Sequence, residues 1–131
     1  MNFAKALVWL TAGIFFLFGL AFTFAPVAAA EFMTGAAPAE GSPRIDMRST
    51  YGGVSMGVGV VLGMLARRPA TLRLGVVAVA AIMLGMASAR ILGMALDGNP
   101  NTWMFVNLAL EVGAFGAALV ALRSPELPAA R

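Results

Sequence analysis

The sequence predicts an all-α protein, a membrane-spanning four-helix bundle with both termini in the cytoplasm. Three observations predict it. Hydrophobic residues make up 60% of the chain and charged ones 11%, against roughly 45–50% and roughly 25% in soluble domains. The apolar residues gather into four runs, each long enough to cross about 30 Å of hydrocarbon. The basic residues cluster on one side of a four-span layout: Lys5, the loop with Arg67, Arg68 and Arg73, then Arg123 and Arg131. The other side holds Arg44 and the boundary residue Arg48 among Glu31, Glu40, Asp46 and Asp97. The positive-inside rule then places the termini and the second loop in the cytoplasm. The 131 residues make a single domain, 1–131, with helices at roughly 3–25, 48–66, 74–96 and 102–122.

The first apolar run spans Phe3 to Phe24. Ala28-x-Ala30 after it resembles a signal-peptidase site, which is the competing reading of this segment. The run exceeds the usual signal h-region of about 7–15 residues, and length favours a retained helix. Ala28 to Met47 carries Pro38, Gly41 and Pro43 and reads as a loop, with a short interfacial turn around Glu31-Phe32-Met33. Asp46 is the candidate N-cap of the second helix.

The second run, Arg48 to Ala66, is rich in glycine, with Gly53/Gly57 and Gly59/Gly63 as GxxxG pairs after Gly52. Small residues four apart open a groove that admits a neighbouring backbone. The same logic marks Gly85, Ala89 and Gly93 in the third run and Ala109, Gly113 and Ala117 in the fourth. Each stripe is expected to form a helix contact, most simply within the chain. The turn Asp97-Gly98-Asn99-Pro100 makes the third and fourth helices antiparallel neighbours. Trp103 and Trp9 fall at opposite interfaces, and Pro125 and Pro128 close a short tail.

Composition excludes much chemistry. The chain has no Cys and no His, so disulfides, thiolate metal sites, thiol redox chemistry and imidazole-based catalysis or haem ligation are excluded. No metal and no cofactor are expected, and a net charge of +3 placed at helix ends gives no nucleic-acid surface.

The residues that stand out are charges inside apolar runs. Arg90 and Glu111 each carry an insertion cost of about 2.5–3.5 kcal/mol at mid-bilayer. Counted from the connecting turn at roughly 1.5 Å per residue, both lie on the order of 10–14 Å below the same face, matched in depth for pairing. Arg48, Tyr51 and Ser55 share a face of the second helix, Ser88 accompanies Arg90, and Asn107 lies one turn from Glu111. The expectation is one polar cluster of Arg48, Tyr51, Arg90, Asn107 and Glu111 in the outer half of the membrane. It serves either as a structural lock between helices or as a site for a lipid headgroup, a quinone oxygen or another polar head. A full proton path is disfavoured, because the inner half offers no titratable series.

Arg48-Ser49-Thr50-Tyr51-Gly52-Gly53, Gly85-Met86-Ala87-Ser88-Ala89-Arg90 and the deep Glu111 together resemble a family of small bacterial four-helix membrane proteins known only as a domain of unknown function. Its members share an R-S/T-x-Y-G-G motif and a G-x-x-x-x-R pattern, and the likeness runs over nearly the whole chain. The family is similar in layout to the wider DoxX-like group, some of whose members are subunits of quinone-linked sulfur oxidation. The resemblance implies a four-helix bundle and makes Arg48, Tyr51, Gly52, Gly53, Arg90 and Glu111 signature positions. It supplies no activity.

The expected function is therefore that of a multi-pass protein of the bacterial inner membrane without catalytic activity of its own. It acts as a small accessory or scaffold subunit packed against a larger membrane complex. The contact residues expected are Gly52, Gly53, Gly57, Gly85, Gly93 and Gly113. The alternative is a binder of a lipid, quinone or other lipophile at the charged cluster. A DoxX-like oxidoreductase subunit ranks third.

Overall fold

The computed structural model describes residues 2–124 and 127; Pro125, Pro128 and Arg131 lie outside the described residues. The elements run α1 (Phe3–Phe24), α2 (Pro26–Thr34), α3 (Ser42–Met47), a π-helical turn (Arg48–Gly53), α4 (Val54–Arg67), α5 (Pro69–Asp97) and α6 (Thr102–Arg123). Four helical stretches are long and apolar enough to cross a membrane: α1, the continuous segment Ser42–Arg67, α5 and α6. That suits a multi-pass membrane protein.

Local chemistry sets the boundaries. Asn2 caps α1, its side chain accepting from the Lys5 N–H at 3.0 Å. At the other end Pro26 has no N–H to donate and pushes the preceding residue out of helical geometry. Ala25 accordingly sits at φ −132°, ψ 56°. The same proline then occupies the first position of α2, where a missing N–H costs nothing. Proline thus starts a nine-residue helix in a stretch expected to be loop. Gly35, at φ 83°, closes α2 in the left-handed conformation that a side chain would disfavour.

Two further helices begin earlier than their apolar patterns suggest, for the same reason. Pro43 lies in the first turn after Gly41, so the second span starts at Ser42 and Asp46 lies inside the helix, accepting from Thr50 Oγ1 at 3.3 Å. It is not the N-cap. Pro69 opens α5, which is 29 residues long, about 44 Å at 1.5 Å per residue. Asn101 caps α6 by accepting from the Met104 N–H at 3.1 Å.

The helices associate as two close pairs, α1 with α4 and α5 with α6; α4 also packs against α5, and α1 touches α5 and α6. The main apolar core joins Leu7, Val8 and Ala12 of α1 to Leu62 of α4, Val76 and Val79 of α5 and Ala118 of α6. It lies in the half of the bundle that holds the termini. The other half has fewer buried apolar residues and holds Arg90 and Glu111.

Backbones approach most closely along α1 and α4. A Cβ at Gly59 would stand 2.7 Å from the Ala12 carbonyl, and one at Gly19 would stand 2.6 Å from the Met56 nitrogen. A Cβ at Gly52 would overlap Thr23, and one at Gly63 would press on the Trp9 ring at 3.3 Å. Gly52 and the Gly59/Gly63 pair thus serve this contact. The expectation of in-chain contacts at the other glycines is corrected. A Cβ at Gly57, Gly85 or Gly113 meets nothing within 4 Å, and one at Gly53 or Gly93 meets only an atom of its own helical segment. Helical rotation explains the difference. Gly57 is two residues from Gly59, and so about 200° away around the helix. Gly85 lies likewise two positions past the buried Met83, and Gly113 two past the buried Glu111.

Candidate functional site

Glu111 is one of the three buried residues of α6, with Ala118 and Ala121. It lies on the face that α6 turns toward α5. There Arg90 meets it in a two-pronged ion pair. Arg90 Nη2 donates to Glu111 Oε1 at 2.5 Å, and Nε donates to Oε1 at 3.1 Å and Oε2 at 3.0 Å. Side-chain exposure is 5% for Glu111 and 20% for Arg90. Such a fork is the strong form of a carboxylate–guanidinium contact. Burial in an apolar bundle strengthens it further, since little water competes. The third nitrogen, Nη1, donates to Met104 Sδ at 3.3 Å.

Asn107 lies between Met104 and Glu111 on the same face of α6, at i+3 from one and four residues before the other. Its Nδ2 is buried and has no hydrogen-bond partner among the described residues.

Arg48 and Tyr51 do not join this group. Arg48 Nη1 donates to the Thr23 carbonyl, and the Tyr51 ring stacks on Phe22 with centroids 5.4 Å apart. Both therefore engage the last turn of α1. The break at Ala25 leaves carbonyls there without helical partners, and α1 has no basic residue in its last turn. Arg48 supplies the cation that favours a helix C-terminus. The π-turn presents Arg48, Tyr51 and Gly52 together to that end of α1, and such turns are frequent at functional sites. The expected single cluster is thus two: Arg48 and Tyr51 on α1, and Arg90, Asn107 and Glu111 between α5 and α6. Among the described residues no hydrogen bond or ion pair links them. The reason is partnership: α4 packs on α1 and α6 packs on α5. Of the accompanying serines, Ser55 is buried on α4 and Ser88 is exposed.

Sequence reasoning missed Asn101 here, and with it the contact between Phe32 and Trp103. Asn101, besides capping α6, donates through Nδ2 to the Met33 carbonyl at 3.2 Å. The Phe32 ring meets Trp103 at 4.6 Å. Together they fasten α2 across the mouth of the α5–α6 hairpin. The visible signal was Asn101 one residue before the fourth apolar run, a helix-cap position.

A cleft between α1 and α4, lined by Gly13, Phe16, Gly59, Gly63 and Met64, opens on the bundle surface away from both polar groups. Among the described residues no three Asp, Glu, His or Cys side chains converge as metal ligands would.

No curated protein and no solved structure matches the chain. One family model does, the domain of unknown function DUF4345, over residues 3–122. That span takes in all four long apolar helices together with Arg48, Tyr51, Arg90 and Glu111. The chain belongs to the DUF4345 family.

Proposed function

We propose that this protein is a non-catalytic integral subunit of the bacterial inner membrane, a small scaffold packed against a larger membrane complex, with both termini in the cytoplasm. The observation that carries this reading is the division of its glycines. Gly19, Gly52 and Gly59 admit close contacts inside the chain, whereas Gly57, Gly85 and Gly113 face outward with open space beside them. A mid-helix glycine is less favourable than alanine by roughly 0.5–1 kcal/mol, and at these three positions no in-chain contact offsets that. A partner helix approaching closely would, since membrane helices associate through such small-residue faces. The charges also fit a scaffold. Arg90 is neutralised by a buried carboxylate, so it presents no unbalanced cation to an anionic substrate.

The test places a photo-reactive side chain at position 57, 85 or 113 in living membranes. A discrete heavier protein adduct at one of these positions is expected, and Gly→Leu at that position should remove it without lowering thermal stability in detergent. Adducts to lipid alone at all three positions would overturn the reading.

A further inference from the structure

The guanidinium of Arg90 spans the α6 face from Glu111 to Met104, and Asn107 sits between those two contacts. This small region is rich in donors and poor in acceptors. A guanidinium has five N–H groups. Here Nε and Nη2 are directed at the carboxylate and Nη1 at a thioether, a weak acceptor. Among the described residues the second N–H of Nη1 and of Nη2 has no acceptor. Neither does the Asn107 amide, whose Nδ2 is buried. Buried donors are rarely left unmade in native proteins, and lipid offers almost no water to fill them.

The missing partner must bring an acceptor oxygen, and the local charge says which kind. Glu111 already neutralises Arg90, so an anionic phosphate would meet a buried carboxylate. A neutral carbonyl would not. The flanking side chains Ile91, Val106 and Leu110 are exposed and apolar, a surface along which a hydrocarbon tail can lie.

We propose that the α6 face between Met104 and Glu111 is a binding site for the neutral carbonyl oxygen of a lipophile, which accepts from Asn107 Nδ2 with Arg90 Nη1 beside it. The acyl ester of a phospholipid and the ring carbonyl of a tailed quinone share this chemistry. This site is independent of the scaffold role and goes beyond it.

The experiment uses the full chain in nanodiscs of ether-linked phosphatidylcholine, which has no ester carbonyl. NMR follows the side-chain amide of Asn107. Nitrogen labelling of asparagine alone leaves four side-chain amides, those of Asn2, Asn99, Asn101 and Asn107, and the one missing from the Asn107→Leu spectrum assigns the resonance. One arm replaces the lipid with ester-linked phosphatidylcholine of equal chain length, and the other adds a decyl-substituted benzoquinone. A saturable downfield shift of the Asn107 amide protons is expected in one arm, and that arm identifies the source. Asn107→Leu should weaken saturable binding of that carbonyl compound at least tenfold. No shift in either arm overturns the proposal, and so does equal binding by a folded Asn107→Leu variant.

Discussion

Arg90 holds Glu111 through two guanidinium nitrogens, the shortest contact being 2.5 Å, across the interface of α5 and α6. The two residues are 21 apart in sequence and come level because their helices run antiparallel from one short turn. The pair sits where the apolar core of the bundle has thinned. It therefore substitutes for hydrophobic contact in joining these helices near their connecting turn.

Removing either partner should strand the other. For a buried pair this costs about 3–5 kcal/mol. Arg90→Met and Glu111→Leu should each lower stability by that order in a detergent unfolding assay. The double variant should recover much of the loss, because well-packed apolar replacements of a buried pair are often neutral or stabilising. Strictly additive losses in the double-mutant cycle would show that the two side chains do not support each other.

The glycine contacts make opposite predictions for two neighbouring positions. Gly59→Leu should disrupt the fold, since even a Cβ there meets the Ala12 carbonyl at 2.7 Å. Gly57→Leu should leave the isolated protein as stable as wild type, because its face is open. Thermal unfolding of the two variants in the same detergent decides this. A folded, undiminished Gly59→Leu protein would contradict the close approach of α1 and α4.

Arg48 should act through the end of α1. Arg48→Met removes both a donor to the Thr23 carbonyl and a cation at the helix C-terminus, an effect of at most about 1 kcal/mol at an exposed site. The measurable consequence is local. Amides in the last turn of α1 should exchange faster with deuterium, while those around Val76 keep their protection. Arg48→Lys should restore part of it, since the charge is kept. Uniform loss of protection across all helices would argue against a capping role.

Orientation can be read directly. Reporter fusions after Arg68 and after Arg123 should report the cytoplasm, and a fusion at Gly41 should report the opposite side. The mature chain should also retain α1. Its Leu7, Val8 and Ala12 belong to the shared core, and Ala30, at the cleavage-like site, is buried in α2. A mature N-terminus at Glu31 would refute both points.

Much of the fold was legible in the residues. The four apolar runs dictate four long helices, because in lipid only a helix satisfies its own backbone over such a length. The short turn from Asp97 to Pro100 dictates that α5 and α6 lie side by side, and so that Arg90 and Glu111 come level. The helix starts at Pro26, Pro43 and Pro69 were less legible. Proline breaks a helix interior yet suits a first turn, and the residue alone does not say which applies.

Tertiary structure alone decided which faces meet. Small residues recur on several sides of these helices, and their spacing is the same whether they face α1 or open space. Only the packing shows that Gly52 and Gly59 serve the α1 contact while Gly57, Gly85 and Gly113 do not. The same choice divided the polar residues. Counting along the chain puts Arg48 and Tyr51 in the same half of the membrane as Arg90 and Glu111, but depth is one coordinate and rotation and neighbour are two more. Because α4 lies on α1 and α6 lies on α5, Arg48 caps a helix end and Arg90 alone reaches the buried carboxylate.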